Sequence, residues 1–327
     1  MHERENALKE WLDHIIPQKD YSILPLAGDA SFRRYFRIQY NGLTNVVMDA
    51  PPDKEALEPF IHIAQTLAKE GVNTPEVLAI NLKQGFLLLS DFGDQLLLGA
   101  LKEDSANAYY HEAINTLLKI QNCPINDQQL PAFDKTFMLK EMELCPEWFF
   151  KRYLKLTLTD DELSLVQQTM AWIAKEVSFQ PLTFIHRDYH SRNLMLINSA
   201  KESTLGVIDF QDAMSGPITY DLVSLLKDCY ICWPRDNVIE WVNYFHTHHA
   251  IAKNHYTQPE LMRAFDLCGL QRHLKVLGIF CRLYLRDGKS GYLNNLPLTL
   301  RYVLECTETY EELRPFFHFL QKRVYLP

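Results

Sequence analysis

Three polar residues in the middle of the chain have the types and spacing needed for phosphoryl transfer. Asp188 is followed five residues later by Asn193, and Asp209 ends the next predicted hairpin. A carboxylate can accept the proton of an attacking hydroxyl, while an amide oxygen and a second carboxylate are hard ligands of the kind Mg²⁺ prefers. Phosphoryl transfer needs mainly neutralised charge and a nucleophile held in line. We therefore predict that Asp188 is the base and that Asn193 and Asp209 bind magnesium.

Short buried strands are expected to position these residues. His186 to Asn193 reads His-Arg-Asp, then four residues and Asn, which is the spacing of a kinase catalytic loop. An apolar strand precedes it at 182–185, and two more at 194–197 and 205–208 form the hairpin that leads to Asp209. His186 is interpreted as structural support. A buried turn of satisfied polar residues would not require all three functional types in this order.

The rest of the chain supplies elements for two lobes. In the N-terminal part, Asn41-Gly42 is a strong hairpin signal between two alternating strands. After Pro51-Pro52, Asp53 is expected to cap a helix that ends at Gly71. The predicted strands are 35–40, 44–48, 77–80 and 85–90, and the later helices lie near 105–122, 135–155, 160–178, 221–232, 236–250, 258–287 and 296–323. We predict an α+β, two-lobed, protein-kinase-like fold.

The predicted boundary divides a nucleotide-binding lobe, residues 1–91, from a catalytic and substrate-binding lobe, residues 92–327. The first lobe is expected to be a small antiparallel sheet with one helix, and the second to be larger and mostly helical. Asp91-Phe92-Gly93 matches a metal-binding motif of kinases, but it precedes the catalytic loop. We interpret it as an interlobe hinge whose backbone binds adenine.

Composition excludes several classes of protein. The net charge of −8 argues against a nucleic-acid partner, which would need a basic face. The charged N-terminus has no apolar core of a secretory signal, and no apolar run is long enough to span a membrane. Seven scattered cysteines indicate reduced core residues. These features favour a cytoplasmic protein with a small-molecule substrate and no membrane partner, and a monomer is expected.

From residue 28 to about 286, the chain resembles the aminoglycoside phosphotransferase and choline kinase superfamily. Within it, five strings are similar to those of the bacterial N-acetylmuramate/N-acetylglucosamine anomeric kinases, namely 28–37, 48–52, 145–149, 271–278 and 286–289. The resemblance implies phosphorylation of the anomeric hydroxyl of an amino sugar with ATP and Mg²⁺, in the recycling of cell-wall sugars. It also implies that Asp221 braces the backbone of the catalytic loop.

The resemblance further implies that the turn from Gly28 to Arg34 covers the nucleotide phosphates. The predicted nucleotide-binding residues are Gly28, Ser31, Phe32, Arg34, Asp91 and Gly93. One departure from the kinase pattern is that the third strand carries no lysine for the phosphates. Arg33, Arg34 or Arg37 could supply this charge, because guanidinium binds phosphate well. Alternatively, Arg34 forms a cross-strand ion pair with Asp49, and both interpretations stay open.

An amino sugar with a lactyl carboxylate would need a cation and hydroxyl-binding groups. The candidate substrate residues are Glu147, Trp148, Arg192, Gln271 and Arg272. An indole such as that of Trp148 can stack on a sugar ring. Surface salt bridges are the competing interpretation for the two arginines.

Three other functions remain open on the sequence. The acceptor could be an aminoglycoside, choline or another hydroxyl compound. The missing strand lysine would suit a nucleotide-binding pseudokinase module, although the Asp188, Asn193 and Asp209 set argues for catalysis. A metallohydrolase built on His186, Asp188, His190 and Asp209 would need both imidazoles on the metal, whereas the asparagine spacing fits a kinase loop better.

Overall fold

The described residues form two compact units. The computed structural model describes residues 2–16, 20–26, 32–125, 130–198 and 203–326. The first unit combines residues 1–99 with the later segment 193–212, and the second combines 100–192 with 213–327. The functional boundary predicted after residue 91 stays a prediction.

The first unit is built on a five-stranded antiparallel sheet with strand order β1-β2-β3-β5-β4. Its elements are α1 (His2–Ile15), β1 (Ser22–Leu26), β2 (Arg34–Tyr40), β3 (Leu43–Asp49), α2 (Glu58–Lys69), β4 (Val77–Asn81), β5 (Phe86–Ser90), most of the one-turn helix α3 (Leu97–Ala100), β7 (Leu194–Asn198) and β8 (Ser203–Val207). The predicted antiparallel sheet is confirmed. The expectation of a single helix there was wrong, because α1 packs Leu8, Trp11 and Leu12 into the core around Phe86.

The β2–β3 hairpin has the register that its turn predicts. Asn41 and Gly42 have φ values of 49° and 73°, the left-handed pair that a two-residue hairpin turn needs. Arg34 therefore lies opposite Asp49. The next helix, α2, begins at Glu58, and Leu57 in the position before it makes no side-chain cap. The expectation that Asp53 caps this helix was wrong, because residues 51–55 form a separate turn onto the carbonyl of Pro51.

The β7–β8 hairpin joins the first unit through residues distant in sequence. Asn73 accepts a backbone hydrogen bond from Val207 at 2.8 Å and donates through its side chain to the Leu205 carbonyl. On the same hairpin, the lack of a side chain at Gly206 leaves room for the Phe92 ring, which a Cβ would meet at 2.6 Å. The hairpin that carries Asn193 and Asp209 at its ends is thereby fixed within this unit.

The second unit is helical, with one short pair of strands. It contains α4 (Ala106–Gln121), α5 (Lys135–Met142), a π-helix (Cys145–Tyr153), α6 (Asp160–Ser178), β6 (Leu182–Ile185), β9 (Met214–Pro217), α7 (Tyr220–Leu226), α8 (Arg235–His248), α9 (Ala250–His255), α10 (Gln258–Asp287), α11 (Leu296–Thr309) and α12 (Arg314–Arg323), with 3₁₀ turns at Ser290–Asn295 and Glu311–Leu313. The 30-residue helix α10 has most of its central side chains buried. It passes so close to Leu144 that a Cβ at Gly278 would collide with that backbone.

Candidate active site

The catalytic loop leaves β6 with its first peptides fixed by a buried carboxylate. Asp221, in the first turn of α7, is fully buried and accepts the backbone N–H groups of His186 at 2.6 Å and Arg187 at 3.0 Å. Arg187 has φ of +77°, a strained conformation for a side-chain-bearing residue, so it needs such support. The imidazole Nδ1 of His186 lies 3.3 Å from the Asp188 N–H, which is consistent with the supporting role predicted for His186.

Asp188 lies among positive charges of the second unit. The buried guanidinium of Arg272 donates to the Arg187 carbonyl at 2.8 Å and lies 3.5 Å from Asp188 Oδ1. Partial burial raises the pKa of Asp188, but the charges of Lys275 and Arg272 outweigh it and hold that pKa well below its usual range. Asp188 is therefore ionised at any working pH and, with its side chain 42% exposed, can accept a hydroxyl proton.

A buried charge network behind the loop was missed by sequence reasoning. Glu141 Oε1 binds Lys275 Nζ at 2.9 Å and Arg187 at 3.0 Å, and its Oε2 accepts from Gln271. Lysine and glutamate are rarely buried unless they are paired. The available signal was the clustering of Gln271, Arg272, His273 and Lys275 in the middle of a long predicted helix.

Asn193 and Asp209 lie side by side in the first unit. Asn193 Nδ2 is 3.3 Å from Asp209 Oδ2, and Gln211 Nε2 donates to Asp209 Oδ1 at 2.8 Å. Asp209 has φ of +64°, and the following Phe210 packs its buried ring on Phe60 at a centroid distance of 4.8 Å. The structure therefore brings together the two predicted metal ligands and adds Gln211, which sequence reasoning missed.

The donor set fits Mg²⁺, which commonly takes one or two carboxylates and completes its shell with water and phosphate oxygens. Asp209 and Asn193 supply a carboxylate and an amide. Gln211 Oε1 is buried next to them without a hydrogen-bond partner within the described residues, so it could accept from a metal-bound water. The part of the chain that the structure describes holds no cluster of three or more His, Cys, Asp or Glu side chains arranged for a metal.

The arginines considered as substitutes for the strand lysine all have acidic partners. Arg34 binds Asp49 through Nε and Nη2 at 2.9 and 2.6 Å, which realises the cross-strand ion pair. Arg33 binds Glu55 at 2.9 Å. The nucleotide role of Arg34 stays a prediction, and anion binding there would compete with Asp49.

Arg37 binds residues of the predicted hinge, Asp91-Phe92-Gly93, and of the position after it. Its guanidinium binds Asp91 at 2.6 Å, Asp94 at 2.8 Å and the Gly93 carbonyl at 3.0 Å. Asp91 also accepts the Gly93 N–H at 2.9 Å, while Gly93 has φ of +83°. Burial raises the pKa of Asp91, but the hydrogen bonds from Arg37 and Gly93 lower it overall. Of the other predicted nucleotide residues, Phe32 is 64% exposed, and Gly28 and Ser31 lie outside the described residues.

The predicted substrate residues differ in their burial and in the residues that they contact. Trp148 carries the Arg152 guanidinium over its ring at 4.2 Å, and Glu147 binds the same arginine, whose hydrogen bond lowers the Glu147 pKa. Arg192 lies over the Tyr230 ring at 4.7 Å. Gln271 and Arg272 are buried: Gln271 donates to Glu141, whereas Arg272 lies 3.5 Å from Asp188.

Comparison with known proteins shows the family. A sequence profile described as "Phosphotransferase enzyme family" matches residues 22–261. The chain belongs to this family. An N-acetylmuramate/N-acetylglucosamine kinase of Pseudomonas putida is 41% identical to this phosphotransferase over 294 residues, 89% of the chain and 85% of the relative. A protein with the same name from Neisseria meningitidis serogroup B is 38% identical over 98% of the chain and 96% of the relative.

Solved structures show that the phosphotransferase has the protein-kinase-like fold predicted from the sequence. Plasmodium vivax ethanolamine kinase matches with a TM-score of 0.66 at 11% identity, over 90% of this chain and 85% of that chain. The ADP-bound aminoglycoside phosphotransferase APH(2'')-Ib matches with a TM-score of 0.62 at 15% identity, over 92% and 98%. Within the described residues, none of the helices of the phosphotransferase combines the length and apolar character that crossing a membrane requires.

Proposed function

We propose that this phosphotransferase transfers the γ-phosphoryl group of ATP to the anomeric hydroxyl of N-acetylmuramate and N-acetylglucosamine. The names of relatives that are 38–41% identical over most of the chain support this acceptor. The observation that carries the chemistry is the partly exposed Asp188, held on a braced loop beside Arg272. The ADP bound in one structural neighbour supports use of a nucleotide.

In this proposal, Asp188 accepts a hydrogen bond from the sugar hydroxyl and takes its proton as the phosphoryl group transfers. A weakly basic carboxylate suits this step, because the loose transition state of phosphoryl transfer asks for little deprotonation early on. Arg272 and Lys275 keep the carboxylate charged, and Arg272 also fixes its direction through the Arg187 carbonyl.

Asn193 and Asp209 are proposed to hold Mg²⁺, with Gln211 orienting the carboxylate. Bound Mg²⁺ supplies neutralisation of charge on the phosphate oxygens. The hydrogen bond from Gln211 and the packing of Phe210 keep Asp209 in its strained backbone conformation before the nucleotide arrives.

An acceptor screen with γ-labelled ATP tests the proposal. Label is expected to transfer to N-acetylmuramate and N-acetylglucosamine, and the methyl glycoside of N-acetylglucosamine, whose anomeric oxygen is blocked, is the matched negative control. The product is expected to be labile in mild acid, as a phosphate on an anomeric carbon is. Transfer to choline or a kanamycin-type sugar alone would replace the proposed acceptor. Tight ATP binding without transfer to any of them would favour a pseudokinase module.

A further inference from the structure

A second buried carboxylate, that of Asp228, accepts hydrogen bonds from the C-terminal part of the catalytic loop. Asp228 is 2% exposed, and its Oδ2 accepts both the backbone N–H of Ser191 at 3.0 Å and the Ser191 hydroxyl. Its Oδ1 accepts the Tyr230 N–H at 2.9 Å. The proposed phosphoryl transfer makes no use of this group, although burying a carboxylate costs free energy that its hydrogen bonds must offset.

Asp221 and Asp228 form a pair of anchors around α7. Asp221 lies in the first turn of this helix, and Asp228 lies two residues after its last residue. Seven residues of helix rise about 10 Å, so the two carboxylates are set apart along one element. Asp221 holds the two peptides before Asp188, and Asp228 holds the residue three positions after it.

The position of Asp228 matters because Ser191, which it holds, is close to Asn193 in the chain. Asn193 is only two residues further on, and consecutive Cα atoms are about 3.8 Å apart. Because one residue separates them, a shift of Ser191 displaces the backbone that leads into Asn193.

We propose that Asp228 is a positioning residue that fixes Ser191 and thereby places Asn193 for metal binding, whereas Asp221 places Asp188. This inference rests on the proposed role of Asn193 as a magnesium ligand. It assigns separate tasks to the two anchors: loss of Asp228 weakens metal binding, and loss of Asp221 slows the chemical step.

The chemistry of the site requires a carboxylate. Asp228 uses both oxygens as acceptors, whereas an asparagine has a single acceptor oxygen and would turn an N–H group toward either Ser191 or Tyr230. Asp228→Asn therefore removes an acceptor at nearly constant volume. Ser191→Ala is a milder variant that removes only the hydroxyl bond.

The test measures affinity for Mn²⁺ by electron paramagnetic resonance in the presence of ADP, together with kcat on the sugar. Asp228→Asn is expected to weaken Mn²⁺ binding about tenfold or more, as loss of a group that orients a ligand does. Ser191→Ala should show a smaller loss in the same direction. Asn193→Ala is the reference for a lost ligand, and Asp221→Asn should lower kcat while its Mn²⁺ affinity stays at the wild-type value.

Trp241→Phe, which removes the bond from Trp241 Nε1 to Asn107 in a buried position remote in sequence from the loop, controls for general destabilisation. Wild-type Mn²⁺ affinity in folded Asp228→Asn would overturn the assignment. If that variant does not fold, Ser191→Ala decides: a lowered melting temperature with unchanged affinity shows a merely structural role. Failure of the acceptor proposal is seen separately, as a wild-type protein that binds Mn²⁺ and ADP but phosphorylates neither sugar.

Discussion

Asp188 is surrounded by charges that keep it anionic but make it a weak base. Arg272 and Lys275 lower its pKa, while nearly half of its side chain stays accessible. Its contribution must then come mostly from holding and orienting the hydroxyl, with the proton accepted late in the transfer.

Replacing Asp188 by asparagine is expected to lower kcat by about 10²–10⁴-fold, because a neutral amide cannot take the proton. Affinity for ATP should stay close to that of the wild type, since none of the predicted nucleotide residues is altered. Steady-state kinetics and calorimetric titration with ATP measure the two quantities. Normal turnover in this variant would remove Asp188 as the base.

The buried carboxylate of Asp221 leads to a prediction of how kcat depends on pH. Burial raises its pKa to about 6, against the opposing effects of the nearby His186 imidazole, the two backbone N–H donors and Arg272. Both oxygens accept a peptide N–H, so protonation removes an acceptor, and kcat is expected to fall as pH drops below about 6. The low pKa of Asp188 cannot produce this decline.

The contribution of Asp221 to stability should change with pH in the opposite direction to kcat. The folded-state pKa lies above the unfolded value of about 3.9, so the folded protein binds the extra proton first, and this contribution grows as pH falls through that window. It amounts to about 3 kcal/mol for a shift of about two units, and it is lost as pH rises through 6. The free energy of unfolding of the wild type minus that of Asp221→Asn, measured from pH 4 to 7, should therefore decrease as pH rises. An increase with pH would contradict the prediction.

Elements with strong local signals were predicted well. The Asn41-Gly42 turn sets the β2–β3 register, and the helix predicted near 258–287 has the bounds of α10. The misses have identifiable causes. The helix expected at 135–155 splits, since Pro146 donates no N–H, and β9 was missed because Met214–Pro217 contains glycine and proline.

The hairpin makes a stability prediction. Arg34→Ala is expected to destabilise the protein by about 1–2 kcal/mol, because it strips one partner from the buried Asp49. The loss is limited by Arg4, which also binds Asp49. Denaturant unfolding measures the change, and Arg286→Ala, at an exposed pair with Asp287, should leave the midpoint unaltered. An equal effect of both variants would refute the special position of Arg34.

Contacts between residues far apart in sequence were the hardest features to predict. Asp188, Asn193 and Asp209 were identified because their spacing is local, and the brace at Asp221 followed from the resemblance. The partners Glu141 and Lys275, and the attachment of Asn73 to the β7–β8 hairpin, join residues far apart in sequence. Such pairings depend on how helices pack, which residue spacing does not encode.

Six of the seven cysteines are buried, as expected of core residues, whereas Cys232 is exposed, so the expectation was wrong for that residue. Burial raises the pKa of Cys229 to about 11 and those of Cys268 and Cys281 to about 12, which suppresses their reactive thiolates. One thiol per chain is therefore expected to react rapidly with a disulfide reagent in the native state, and all seven after unfolding. Cys232→Ser should abolish the rapid phase, and several rapid thiols in native protein would contradict this packing.

Asp221 and Asp228 each bind a set position of the catalytic loop, so the length of the segment between them is constrained. Inserting one residue between Asp221 and Asp228 would rotate the second carboxylate by about 100° and advance it by about 1.5 Å, away from Ser191. Natural variants should therefore keep the length of this buried stretch, and an insertion here should be far more harmful than one in a surface turn.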